Sequence, residues 1–122
     1  MRDKQITKNF KRAEFACKGA NCCGGSAPID DRLVCLLQSV RDYINKPIII
    51  TSGYRCITHN ARTPNAVPNS YHTLGWAADI TVKGMSVIDL YNACSQVCEL
   101  EGYGYLIPYE DRGIVHVDIR DY

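Results

Sequence analysis

The chain has 122 residues, near the commonest domain size, and 46% of them are apolar, enough for one packed core. Its 14 basic and 13 acidic residues leave a net charge of +1, which gives no electrostatic argument for a nucleic-acid or membrane-surface partner. No run approaches the roughly 20 apolar residues of a membrane span, and the polar opening Met-Arg-Asp-Lys-Gln-Ile-Thr-Lys lacks the apolar segment of a secretory signal. The expectation is a single domain over 1–122, made in the cytoplasm, monomeric, without a membrane span or a nucleic-acid partner.

Residues 1–8 read as a loose leader. Asn9 to Glu14 suits a short turn or helix with Asn9 as its cap, and Phe10 and Phe15 are expected to anchor this arm on the core. A glycine-rich loop follows, Cys17-Lys-Gly-Ala-Asn-Cys22-Cys23-Gly-Gly, holding three of the seven cysteines. An odd count rules out complete pairing within one chain, and a cytosolic origin favours reduced thiols. The spacing fits no standard zinc knuckle. A metal clip, a disulfide and a loop that merely contains cysteines all remain open, with Cys56 as a possible partner.

Asp30 or Asp31 opens a helix to about Asn45, with acids suited to its N-terminal dipole. Leu33, Leu36, Leu37, Val40 and Ile44 recur at helical spacing and form its buried face. After Pro47, the apolar run Ile48 to Thr51 reads as a buried central strand. It delivers Ser52-Gly53-Tyr54-Arg55 to the sheet edge. A guanidinium there can clamp a carboxylate through two parallel hydrogen bonds, although the residues alone favour a surface or salt-bridged arginine. His59 reads as a solvated loop histidine, and 61–70, with two prolines and two asparagines, as a loop that shapes a cleft wall.

Ala77 to Val82 alternates and ends β-branched, so it reads as a strand. Ser86-x-x-Asp89 opens a second helix as a capping-box variant. Its stripe of Val87, Leu90, Tyr91, Cys94, Val97 and Cys98 makes both cysteines core residues, and Gly102 ends it. Tyr103–Ile107 and Ile114–Ile119 read as a hairpin, with Pro108–Gly113 as the turn. In the last strand His116, Asp118 and Arg120 share one face, because side chains alternate with period two.

His72, Asp79 and His116 are the candidate chemistry. Two imidazoles and a carboxylate make a three-ligand set that leaves a metal ion an open position. The same set also describes a non-haem iron triad. That class usually opens with a short His-x-Asp on a many-stranded jelly roll, whereas here the first spacing is seven and helices alternate with strands.

Ser70-Tyr71-His72-x-x-Gly75-x-x-x-Asp79, followed by His116-Val117-Asp118, resembles the zinc D-Ala-D-Ala carboxypeptidase and phage endolysin-type peptidases (peptidase M15), whose fold is shared with the Hedgehog signalling domain. Ile50-Thr51-Ser52-Gly53-Tyr54-Arg55-x-x-x-x-Asn60 resembles the same family's lead-in, and the likeness runs from about Phe10 to the end. The resemblance implies an α+β fold, with a small, mainly antiparallel sheet and helices packed on one side. It implies a zinc ion (Zn2+) on His72, Asp79 and His116, and Arg55 and Ser70 beside the substrate. The substrate would be a peptidoglycan stem peptide, cut at a bond involving D-amino acids after release at lysis or by another export route.

In well-known members an acid stands three residues before the last histidine ligand, where this chain has Gly113. Glu110, six before His116, is the first choice for the general base, since the Hedgehog domain has a glutamate at that offset. Asp118 is second, with a role in orienting a ligand as its alternative, and Asp111 third. A chain without a working base would be a zinc-bearing wall-binding module, because a fold can outlive its chemistry.

Overall fold

Two long helices lie against one face of a four-stranded antiparallel sheet, and this pairing accounts for most of the core. The computed structural model describes residues 5–64, 66 and 70–120. Helix α1 spans Asp31–Ile44 and buries Leu33, Val34, Leu36, Leu37 and Val40. The Asp30 carboxylate starts it by accepting the Arg32 backbone N–H at 2.9 Å. Asn45, in the left-handed region at φ 53°, stops it. The helix at Val87–Glu101, α3 in chain order, buries Leu90, Cys94 and Val97. The Ser86 hydroxyl caps it by accepting the Asp89 N–H at 3.0 Å, and Gly102 ends it.

The sheet contains β3 (Ile49–Ser52), β4 (Ala77–Thr81), β5 (Tyr105–Tyr109) and β6 (Ile114–Asp118), in the order β3-β4-β6-β5. Register explains its two faces. Ala78 sits opposite Val117 and Ile80 opposite Val115, and all four point into the core. The alternate positions, Asp79 opposite His116, therefore emerge on the face away from α1 and α3.

Several elements differ from the sequence reading. The Ile48–Thr51 run is an edge strand, not a central one: among the described residues β3 pairs only with β4, and Ile49 is exposed while Ile50 is buried. The expected loose leader is structured from residue 5, where β1 (Gln5–Thr7) pairs with β2 (Phe10–Lys11). Gln38 on α1 fastens it, accepting from the Thr7 hydroxyl and the Asn9 N–H, both at 2.8 Å. Asn9 is thus engaged with Gln38 and caps no helix. A 3-10 turn follows at Arg12–Phe15, with Phe10 and Phe15 fully buried. Pro108 lies inside β5 rather than in the turn, which an edge strand tolerates. The 61–70 segment begins inside helix α2, Ile57–Arg62, so His59 is a half-buried helical residue. Of the rest of that loop, 65 and 67–69 lie outside the described residues.

Two glycines are required by close approach. A side-chain carbon at Gly53 would sit 2.6 Å from the Phe15 Cα. Gly75 has φ 74°, and a side chain there would collide with the Pro28 carbonyl. Gly75 closes the 3-10 turn at Tyr71–Leu74, which carries His72 to the sheet.

Candidate metal centre and its cleft

The sheet face opposite the helices brings His72, Asp79 and His116 together. One possible ligand atom from each lies within 4.8 Å of the others, and all three residues are buried. Asp79 Oδ1 is 3.3 Å from His72 Nε2 and 3.0 Å from His116 Nδ1. Ligands about 2.0–2.1 Å from a tetrahedral ion are separated by about 3.3 Å, so this spacing matches the donor set of a small divalent cation.

Each ring is aimed through its second nitrogen. His72 Nδ1 lies 2.7 Å from the Gly53 carbonyl, so it carries the proton and donates it, leaving the Nε2 lone pair toward Asp79. His116 Nε2 lies 2.8 Å from Asp118 Oδ2, and its proton is fixed there in the same way. Asp118 is completely buried. Its Oδ1 accepts the Arg120 backbone N–H at 3.0 Å, and its Oδ2 accepts Arg120 Nη2 at 2.6 Å. The Arg120 guanidinium stacks 3.9 Å from the Tyr105 ring centroid and 4.5 Å from that of Tyr71.

The charges are mutually adjusted. Burial pushes the Asp79 carboxyl up, but His116 and His72, which donate to it only in their protonated forms, outweigh burial and hold the group well below the usual carboxylate range. Burial lowers His116, yet the carboxylates of Asp118 and Asp79 raise it above its ordinary value. Asp118 is likewise raised by burial and lowered further by His116 and Arg120, with a net downward shift.

A cleft of about 340 Å³ opens over this group, lined in part by Arg55, Ser70, Tyr71, Tyr109 and Arg112. A second lobe of about 470 Å³ adjoins it, lined in part by Lys18, Ser52, His59 and Arg62; Arg55, Asp79 and Arg112 border both. Arg55 therefore stands between the lobes. Its Nη2 donates to the Ser70 hydroxyl at 3.2 Å, while its buried Nε has no hydrogen-bond partner among the described residues. Burial lowers the Arg55 pKa, opposed by the charge of Asp79. An orphaned guanidinium N–H beside an acidic centre is a ready donor for an anionic group.

The sequence profile of the peptidase M15 family matches residues 8–118. The chain belongs to the peptidase M15 family. Among curated proteins it is similar to the peptidoglycan L,D-endopeptidase MepK of Escherichia coli K12 and of Shigella flexneri, at 34% identity over 77 residues in each case. That match takes in 60% of this chain and 40% of each relative, so it spans less than half of those M15 proteins.

The structure brings Arg55 and Ser70 to the same cleft as the three candidate ligands. Ser70 also has a local task, since its hydroxyl accepts the His72 backbone N–H at 3.2 Å and so starts the turn carrying that ring. Glu110 is placed differently. It is exposed on the β5–β6 turn and does not line either lobe, although its neighbours Tyr109 and Arg112 do. Asp111 is exposed on the same turn. Asp118 is beside His116 but spends both oxygens on His116 and Arg120. Trp76 is half-buried beneath the site, stacked on Tyr71 with ring centroids 6.1 Å apart. Sequence reasoning missed the Gly53 carbonyl, Tyr109 and Arg112. A main-chain oxygen leaves no signature in a sequence, and the other two become visible only once the hairpin register is known.

Proposed function

We propose that the chain is a zinc-dependent peptidase that cuts peptidoglycan stem peptides in the endopeptidase mode, at a bond involving a D-amino acid. The observation that carries this reading is the pair of imidazoles, each pinned by its far nitrogen so that a lone pair meets Asp79 at one point beneath a basic cleft. When bound there, a zinc ion supplies Lewis-acid polarisation of the scissile carbonyl and a water of lowered pKa. His72, Asp79 and His116 hold it.

Arg55, aided by Ser70, binds a carboxylate of the stem peptide and sets the scissile bond over the centre. Lobes on both sides of Arg55 let the peptide continue in either direction, which supports internal cleavage over removal of a terminal residue. The likeness to an L,D-endopeptidase supports the same choice. Glu110 takes the proton of the attacking water and returns it to the leaving amine, from the turn between the lining residues Tyr109 and Arg112. The chain acts as one peptidase domain over 1–122 and as a monomer. Among the described residues no helix is long and apolar enough to cross a membrane. Peptidoglycan is reached after release at lysis or by export.

A second reading rests on the position of Glu110. Among the described residues Asp79 is the only acid lining either lobe, as suits a zinc-bearing module that binds wall without cutting it. Digestion of purified peptidoglycan separates the two. The peptidase reading expects new muropeptide ends by mass spectrometry with the wild type, and none with His116→Ala or with a chelator. Sedimentation of the wild-type chain with peptidoglycan, unaccompanied by new ends, would establish the module instead.

A further inference from the structure

We propose that Cys17, Cys22, Cys23 and Cys56 form a second, structural metal site for a thiophilic cation such as zinc, separate from the His72–Asp79–His116 centre. The four sulfurs all lie within 4.8 Å of one another. Cys17 Sγ and Cys22 Sγ are 3.9 Å apart, close to the edge of about 3.8 Å expected between sulfurs bound to one tetrahedral zinc at about 2.3 Å. A disulfide needs a sulfur pair at about 2.05 Å. Here four sulfurs converge on one point instead of approaching in pairs. Cys17 and Cys56 are buried, and Cys22 and Cys23 half-buried. Four protein ligands leave no open position, the hallmark of a structural rather than a catalytic zinc site.

The surrounding backbone is shaped for this. Asn21, Gly24 and Gly25 adopt left-handed conformations at φ 53°, 72° and 80°, folding the loop around Cys22 and Cys23. The Cys17 N–H donates to the Ser26 carbonyl at 2.8 Å and closes the loop. The His59 N–H donates to Cys56 Sγ at 3.4 Å and fixes where that sulfur points. From α2, Arg62 donates to the Ala20 carbonyl at 2.8 Å and ties the loop to the helix. Gly19 has no room for a side chain, since its carbon would meet Cys22 Sγ and the His59 ring at 2.7 Å. The remaining cysteines are elsewhere: Cys94 and Cys98 on α3, and Cys35 exposed on α1. Cys56 lies 33 residues beyond Cys23, too far for a contiguous knuckle motif to reveal it.

Loading replaces four thiol protons, released to solvent, with one divalent cation. Its consequence is positional. Cys56 adjoins Arg55 and caps α2, which brings His59 and Arg62 to the second lobe. A cation here would lock the N-terminal loop to the wall that carries Arg55. This site stands independently of whether the first centre hydrolyses anything.

The full chain, purified anaerobically, is assayed for zinc by plasma mass spectrometry. Two equivalents are expected in the wild type, one in a His72→Ala/His116→Ala variant and one in a Cys22→Ser/Cys23→Ser variant. Should the cysteine variant fail to fold, cobalt substitution of the histidine variant carries the test, with an intense sulfur-to-cobalt charge-transfer band expected. One equivalent in both the wild type and the histidine variant, with that band, would keep this site and remove the other. The proposal is overturned by a single equivalent that disappears with the histidines, by absence of the band, or by a disulfide among these four cysteines in the anaerobic protein.

Discussion

Asp79 and His116 are direct partners across β4 and β6, and their side chains meet at 3.0 Å on the face away from the helices. The pair is created by register: a slip of one residue in either strand would send that strand's side chain into the core and bring Ala78 or Val117 to the site in its place. His72 then arrives from a separate turn. Two of the three candidate ligands are therefore set by sheet pairing and the third by a turn.

Asp118→Asn is expected to weaken metal binding by about 10–100-fold, the usual cost of losing a carboxylate that orients a histidine ligand. The shape of the side chain is retained, so the fold should survive. Competition with a chelator of known affinity measures the effect. An unchanged affinity would show that His116 needs no help from Asp118.

Arg55→Lys should reduce kcat/KM on stem peptides by about tenfold or more, because a point charge cannot replace a planar fork holding a carboxylate. Metal content should not change, since Arg55 is not a ligand. Equal loss on a substrate analogue whose carboxylates are amidated would argue against this contact.

Glu110→Gln should keep the metal and lower turnover by about two or more orders of magnitude, the scale of a lost general base. Asp118→Asn should act chiefly through metal affinity, so saturating metal should restore much of its activity. If Glu110→Gln stays fully active while metal-saturated Asp118→Asn is dead, the roles are exchanged.

Gly75→Ala should destabilise the chain by about 1–3 kcal/mol from its left-handed backbone alone, and further through the clash with Pro28. Denaturant titration reads this directly. Metal affinity should fall with it, because Gly75 closes the turn that holds His72.

The helix cap gives a pH prediction. The Arg32 guanidinium holds the Asp30 carboxyl below its ordinary value, against a smaller upward push from burial. A carboxylate with a depressed folded pKa stabilises the fold above its unfolded value, near about 3.9, and loses that contribution as pH falls through the folded pKa. Thermal melts at falling pH should therefore show a shallower acid dependence for Asp30→Asn than for the wild type. Parallel curves would sink the assignment.

Much of this architecture could be read in advance because the signals were local. The α1 stripe from Leu33 to Val40, the Asp30 and Ser86 caps and the alternation in β6 each state their structure within a few residues. Edge status could not be read in the same way. Ile48-Ile49-Ile50 has the composition of a fully covered strand, but strand order depends on where distant segments dock. Helix α2 was hidden because Thr58, His59 and Asn60 are mediocre helix formers and the helix is six residues long. Within the site, the residue types at 72, 79 and 116 were visible, whereas the exposure of Glu110 was not, since a turn's direction follows from hairpin twist rather than composition.

The two histidines differ in how their aim can be altered by mutation. Position 116 depends on a side chain that a single codon change can remove or redesign. Position 72 answers to a main-chain oxygen at residue 53, which every amino acid possesses. Of the two groups that accept a ring proton, only the one at residue 118 can therefore be exchanged by substitution, whereas the His72 ring is re-aimed only by moving the backbone that carries it.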